Sequence, residues 1–309
     1  MRRARARSTS GGAVVFLLRT LAGGIDSERQ KVRQLGEARR QAAGRSAKLQ
    51  EFLKQHPICC FCGGLTLAET FDHVPARSIF SRRHWPESYE FPACQRCNRA
   101  TSGDEEFISL LARVASSKED ALPGDFETFK ILLRSMRDRR PELLFEMRVD
   151  SRRARKAMMA RNLELPTGTM YRDLPILAVN GPLVSAAVRS FARKLGLALY
   201  YKHAGTPLPS VGALWSRWWT NWSVQSDPIP PEVFKVAPEA PGLIRNQVDL
   251  TDQFAYRWGP PVEDPPKMVF LSVFRRSFAI LVFVGRDPAE FAPIPENELM
   301  RPFDHSSPP

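Results

Sequence analysis

Cys59-Cys60-Phe61-Cys62-Gly63-Gly64 opens, and Pro92-Ala93-Cys94-Gln95-Arg96-Cys97-Asn98 closes, the stretch that decides how this chain folds, with Asp72-His73 held between its ends. Two Cys-x-x-Cys turns each aim a pair of sulfurs at one point, so Cys59, Cys62, Cys94 and Cys97 are expected to bind a tetrahedral structural zinc. Four thiolates leave no coordination position for water, so that zinc would staple a loop together and do no chemistry. Chemistry must then come from the residues enclosed by the knuckles. Cys60, next to a ligand, is expected to be a packed, inert thiol. All five cysteines of the chain lie in this one stretch, which argues against a disulfide framework and for a reducing, cytoplasmic setting.

Between the knuckles, Leu65 to Phe71 is β-prone, follows a glycine pair and ends at Asp72-His73-Val74-Pro75, predicting a strand that delivers Asp72 and His73 at its end. An irregular basic loop with Arg77, Arg82, Arg83 and His84 follows, then a short strand near Tyr89 to Phe91. After Cys97, the residues Phe107, Ile108, Leu110, Leu111 and Val114 recur at helical spacing. Ser102 and Glu105 have capping-box spacing, so the acids at 104–106 read as a helix start rather than a second metal site. The order is strand, loop, strand, helix.

That order and those residues resemble the HNH endonucleases, the ββα-metal or His-Me finger group, over roughly Ile58 to Val114. The resemblance implies a zinc-stapled ββα-metal finger; with the helical flanks and the separate C-terminal α+β domain read from the residues outside it, the expected fold class is α+β. It also implies that His73 is the general base and that Asp72 and Asn98 hold a catalytic Mg2+ or Mn2+. The family's middle Asn has no counterpart here, since Glu87, Ser88, Tyr89 and Glu90 occupy its place and no Asn lies between Val74 and Arg96. The implied activity is metal-dependent hydrolysis of DNA phosphodiester bonds. One nicking site per chain makes a homodimer an expectation where both strands are to be cut.

Elementary chemistry gives the same residues comparable roles. Phosphodiester hydrolysis needs a base for water and positive charge on the phosphate, and hard cations prefer oxygen donors such as those of Asp72 and Asn98. Arg77 and Arg99 are near enough in sequence to fork onto a phosphate, and they are the expected nucleic-acid contacts. Each residue also has a structural reading: a hydrogen-bonded Asp-His pair, a capping Asn, solvated arginines. Together these define the alternative function, a catalytically impaired, zinc-stabilised nucleic-acid-binding or interaction protein.

With 309 residues, 43% hydrophobic, the chain can bury a sizeable core, and its net charge of +12 and pI near 9.9 suit a polyanionic partner, DNA first. The charge is densest in residues 1–50, where 12 Arg or Lys face three acids. That segment reads as a basic arm and helix. Its apolar run Ala13 to Leu18 is too short to span a bilayer, so neither a membrane segment nor a signal peptide is expected, although an Arg-rich, acid-poor start also suits a mitochondrial-type presequence. The expected divisions are the arm at 1–50, the finger at 51–115, an Arg-rich helical segment at 116–165, and the C-terminal α+β domain at 166–309. In that last part, Val184 to Leu195 reads as a helix ending at Gly196, Leu197 to Tyr201 as strand-like, and Lys267 to Arg286 as a hairpin around Arg275-Arg276-Ser277. Trp215, Trp218, Trp219 and Trp222 have helical spacing and read as core more than as a base-stacking surface. The segment from Pro288 reads as a loose, proline-rich tail.

Overall fold

The computed structural model describes residues 46–114, 124–160, 176–259 and 267–304, together with 162, 164, 168, 170 and 171. The basic arm before residue 46 and the boundary expected at 165/166 lie wholly or partly outside the described residues. Residues 46–55 are helical and belong to a unit separate from His56–Pro309.

Within His56–Pro309 the first elements are β1 (Thr70–His73) and β2 (Glu90–Ala93), an antiparallel ribbon in the register Thr70↔Ala93 to His73↔Glu90. Helices α1 (Gln95–Ala100) and α2 (Ser102–Leu111) follow directly. Cys94 caps α1 through its sulfur, which accepts from the Cys97 amide at 3.4 Å. Thr101, not Ser102, stands at the N-cap of α2, and Ser102 Oγ donates back to the Arg99 carbonyl. The apolar positions of α2 are buried, as its period requires: Phe107, Ile108, Leu110 and Leu111 are all at most 5% exposed. The acids of its first turn each take a basic partner, Asp104 from Arg140 at 2.7 Å, Glu106 from Arg139 at 3.4 Å, and Glu105 from Lys194.

Three helices come next, α3 (Asp125–Arg139), α4 (Pro141–Glu146) and α5 (Ser151–Met159). Arg134, Arg137, Arg139, Arg152, Arg153 and Arg155 are exposed along them. Then α6 (Pro182–Ala204) runs through the middle of the unit, its first amides capped by the Glu146 carboxylate, which accepts from Leu183 and Val184. This corrects the expectation of a helix ending at Gly196 with a strand after it. Gly196 sits inside the helix because the sheet approaches there: a Cβ would lie 2.7 Å from Val282 Cγ1 and 2.8 Å from Leu214 Cδ2. The true stop is Gly205, left-handed at φ 73°, where glycine carries no Cβ cost.

The remaining elements are β3 (Ala213–Thr220), the short helix α7 (Pro231–Val236), the small hairpin β4 (Ile244–Arg245) and β5 (Val248–Asp249), and β6 (Ala255–Gly259), β7 (Met268–Phe274) and β8 (Phe278–Gly285). An antiparallel sheet forms in the order β3-β8-β7-β6. The hairpin expected at 267–286 is β7–β8, turning at Arg275 with φ 51°. Trp215, Trp218 and Trp219 lie on strand β3, not on a helix, and Trp222 lies in the turn after it. Trp218 and Leu214 face the main core, whereas Trp215 and Trp219 face the opposite side, so alternation of period two is obeyed with both faces covered.

One core joins these parts: Cys60 and Phe61 of the first knuckle, Leu132 of α3 and Leu143 of α4, Phe191 of α6 and Val282 of β8 belong to the same buried cluster. The expected finger and C-terminal α+β parts thus share a core rather than being divided by one. The tail expected to be loose is packed as far as Phe303. Leu214 and Met300 exchange backbone hydrogen bonds at 2.8 and 2.7 Å, and Phe291, Leu299 and Phe303 are buried.

Candidate metal centre and the face around His73

The first knuckle turns out of the β ribbon with Cys60 N donating to the Pro92 carbonyl at 3.0 Å. It then turns back at Gly63 and Gly64, both left-handed. A Cβ at Gly63 would fall 2.6 Å from the Ser210 backbone, so only glycine fits there. The second knuckle is the cap and first turn of α1. Together they bring the sulfurs of Cys59, Cys62, Cys94 and Cys97 within 4.8 Å of one another, all four residues buried. A tetrahedral ion with Zn–S near 2.3 Å places its sulfurs about 3.8 Å apart, so the donor set fits a structural zinc. Sulfur contacts within the cluster push the Cys59 thiol up to about 12 and hold Cys62 well below the ordinary thiol range. A thiolate is thus already favoured among the sulfurs, and a bound dication would ionise the rest. Cys60 points away from the cluster's work: it is fully buried, and burial pushes its thiol up, as expected of an inert side chain.

Because β1 is a strand, Asp72 and His73 leave its opposite faces. Asp72 is 7% exposed and turned inward. One carboxylate oxygen accepts from the His73 backbone amide at 2.8 Å, and the other is ion-paired to Lys194 of α6. Lys194 is fully buried and also pairs with Glu105, which accepts from Thr101 Oγ1 at 3.1 Å. Burial alone would lower the Lys194 pKa, but the two carboxylates outweigh it and hold the ammonium charged. Burial raises Glu105 to about 7 against the opposing pull of Lys194.

His73, half-buried, faces the other way. Its ring stands edge-on to Trp85, with centroids 4.5 Å apart, and to Phe71 at 5.4 Å. Glu90 is its cross-strand partner and accepts from Trp85 Nε1 at 3.2 Å. Arg77, in the turn Arg77–Ile79, brings its guanidinium to 4.9 Å from the Trp85 centroid. Asn98 is half-buried on α1, with its backbone amide given to the Cys94 carbonyl, and Arg99 is exposed one residue later.

Of the residues predicted from sequence, the four cysteines converge, and His73 and Arg77 meet at Trp85. Asp72 does not join them. A hard cation needs a carboxylate it can reach, whereas this one is buried and neutralised by a lysine, so the arrangement does not fit a catalytic Mg2+ or Mn2+ held by Asp72 and Asn98. Sequence reasoning missed Lys194, Trp85 and Arg245, whose guanidinium also lies on the Trp85 ring at 3.9 Å. Lys194 did leave a signal: it falls at the i+3 position from Phe191 on the apolar stripe of α6, where an isolated cation needs a buried partner. No helix among the described residues is long and apolar enough to cross a membrane. No protein-family model, no curated protein and no solved structure matches this chain.

Proposed function

We propose that the chain is a zinc-stapled nuclease of the HNH kind that cuts DNA, with His73 as its general base. The observation that supports this best is the placement of His73 at the last position of β1, in a strand–loop–strand–helix unit closed by the four-cysteine cluster. In such a step His73 takes a proton from water as the water oxygen bonds to phosphorus. The ester P–O bond breaks, and the departing alkoxide is protonated by solvent. Arg77, fixed against Trp85, supplies positive charge to the phosphate. The zinc supplies folding free energy only, and no step is routed through a second cation.

A second reading has its own observation. Asp72 is locked to Lys194 and no Asn lies between Val74 and Arg96, which favours a zinc-stabilised protein that binds nucleic acid without cutting it. Supercoiled plasmid incubated with the zinc-loaded protein, beside His73→Ala, separates the two. Nicking by the parent and not by His73→Ala supports the nuclease. A plasmid retarded on a gel yet never nicked supports the binding protein.

A further inference from the structure

We infer that the β4–β5 hairpin, through Arg245, forms part of the surface that grips the nucleic-acid backbone beside His73. The inference rests on the reading of the finger as acting on nucleic acid. It extends that surface to a segment of the chain more than 150 residues away from His73 in sequence.

The hairpin is built onto the loop that carries Trp85. Glu87 N donates to the Ile244 carbonyl at 3.1 Å, the Glu87 carboxylate accepts from the Asn246 amide at 3.0 Å, and Leu250 N closes the base on the Leu243 carbonyl at 2.8 Å. Its two turn residues, Asn246 and Gln247, are both left-handed, at φ 48° and 66°, which is the geometry of a tight two-residue turn. The strands are two residues long, so they present the turn and Arg245 rather than a sheet edge.

Arg245 Nη1 donates to the Trp85 carbonyl at 3.2 Å, and its guanidinium carbon lies 3.9 Å from the indole centroid. Arg77 approaches the same ring at 4.9 Å and His73 stands against it at 4.5 Å. One indole therefore gathers two guanidinium groups and the candidate base. Stacking on a ring fixes a guanidinium without neutralising it and leaves its N–H edge able to fork onto phosphate oxygens. Of the nearby carboxylates, Glu90 accepts the Trp85 indole N–H, Glu87 the Asn246 amide, and Asp249 the Thr251 amide at 2.9 Å. Asn246, Gln247 and Val248 are exposed beside Arg245. A polyanion lying across His73 would meet this edge of the hairpin.

The test is binding of a short fluorescein-labelled DNA duplex by anisotropy over a range of salt, with zinc content and thermal unfolding checked for each protein. Arg245→Gln keeps an amide donor for the Trp85 carbonyl and removes the charge. It is expected to weaken binding about tenfold and to lower the salt slope by about one. Arg245→Lys restores the slope, which a purely structural role would not do. Parent protein that binds, together with Arg245→Gln that binds equally and with the same slope, overturns the inference and leaves the nucleic-acid reading standing. Parent protein that fails to bind at any salt overturns both. If Arg245→Gln unfolds, Gln247→Glu at the exposed turn places a negative charge at the same edge and must weaken binding; unchanged affinity there overturns the inference.

Discussion

Replacing Lys194 by Met removes the ammonium that pairs with two inward-facing carboxylates, Asp72 and Glu105, while keeping the side chain's length and apolar stem. Lys194 is fully buried, and the Asp72 and Glu105 side chains are 9% and 12% exposed, so solvent can do little for the charges left behind. Breaking a buried ion pair from one side costs about 3–5 kcal/mol. For a folded unit of this size that corresponds to a fall in melting temperature on the order of 10 °C. The loss has a pH signature. Burial raises the Glu105 carboxyl to about 7 even with Lys194 present, and without the ammonium it takes up a proton more readily. A protonated carboxyl no longer needs a cation, so the penalty should be full near pH 8 and much smaller near pH 5. Denaturant unfolding followed by far-ultraviolet circular dichroism at both pH values measures this directly. A loss below about 1 kcal/mol at the higher pH, or the same loss at both, would refute the claim that Lys194 neutralises Asp72 in a dry interior.

Other consequences follow from the same structure. One zinc per chain should be released by a mercurial and detected by a metallochromic dye; Cys94→Ser should abolish that stoichiometry and Cys60→Ser should not. Gly196→Ala drives a methyl to within 2.8 Å of Val282 and Leu214 and should cost about 1–3 kcal/mol in denaturant unfolding. His203 is stacked on Trp258 at 3.9 Å and bonded to the Tyr256 hydroxyl, and burial lowers its pKa to about 4. The unfolded chain binds a proton near 6.5 that the folded chain refuses until about 4, so its contribution to stability is present above 6.5 and lost as pH falls through that window. A proton NMR titration of the ring should place the folded midpoint well below 6, and a midpoint near 6.5 would contradict its burial.

The four-cysteine segment was legible because its signals are local. The glycine pair and the proline after His73 locate the end of β1 and the β-prone run before Cys94 locates β2, although β1 begins at Thr70 rather than Leu65 and α1 was not foreseen, and the apolar period of α2 needs no tertiary information. The hairpin at β7–β8 was legible for the same reason. What sequence obscured came from contacts between distant segments. Gly196 reads as a helix stop, yet it is a glycine because β3 and β8 press on α6. The tryptophans of β3 imitate a helical period because both faces of the strand are covered, so apolar residues occupy odd and even positions alike. The proline-rich end reads as loose but is pinned by Met300 on Leu214. At the site, Asp72 and His73 are neighbours in sequence with opposite surroundings, and only the position of Lys194 on α6 shows that Asp72 is ion-paired on the inner face.

The central claim is that His73 is the base of a DNA-cutting finger. It is tested most directly by the single-turnover nicking rate of zinc-loaded protein on supercoiled plasmid, compared with His73→Ala with and without added imidazole. The account predicts that the parent nicks, that His73→Ala is slower by about a hundredfold or more with its zinc retained, and that imidazole restores part of the rate. Equal rates for parent and His73→Ala, or no nicking by a parent that binds the plasmid, would contradict it.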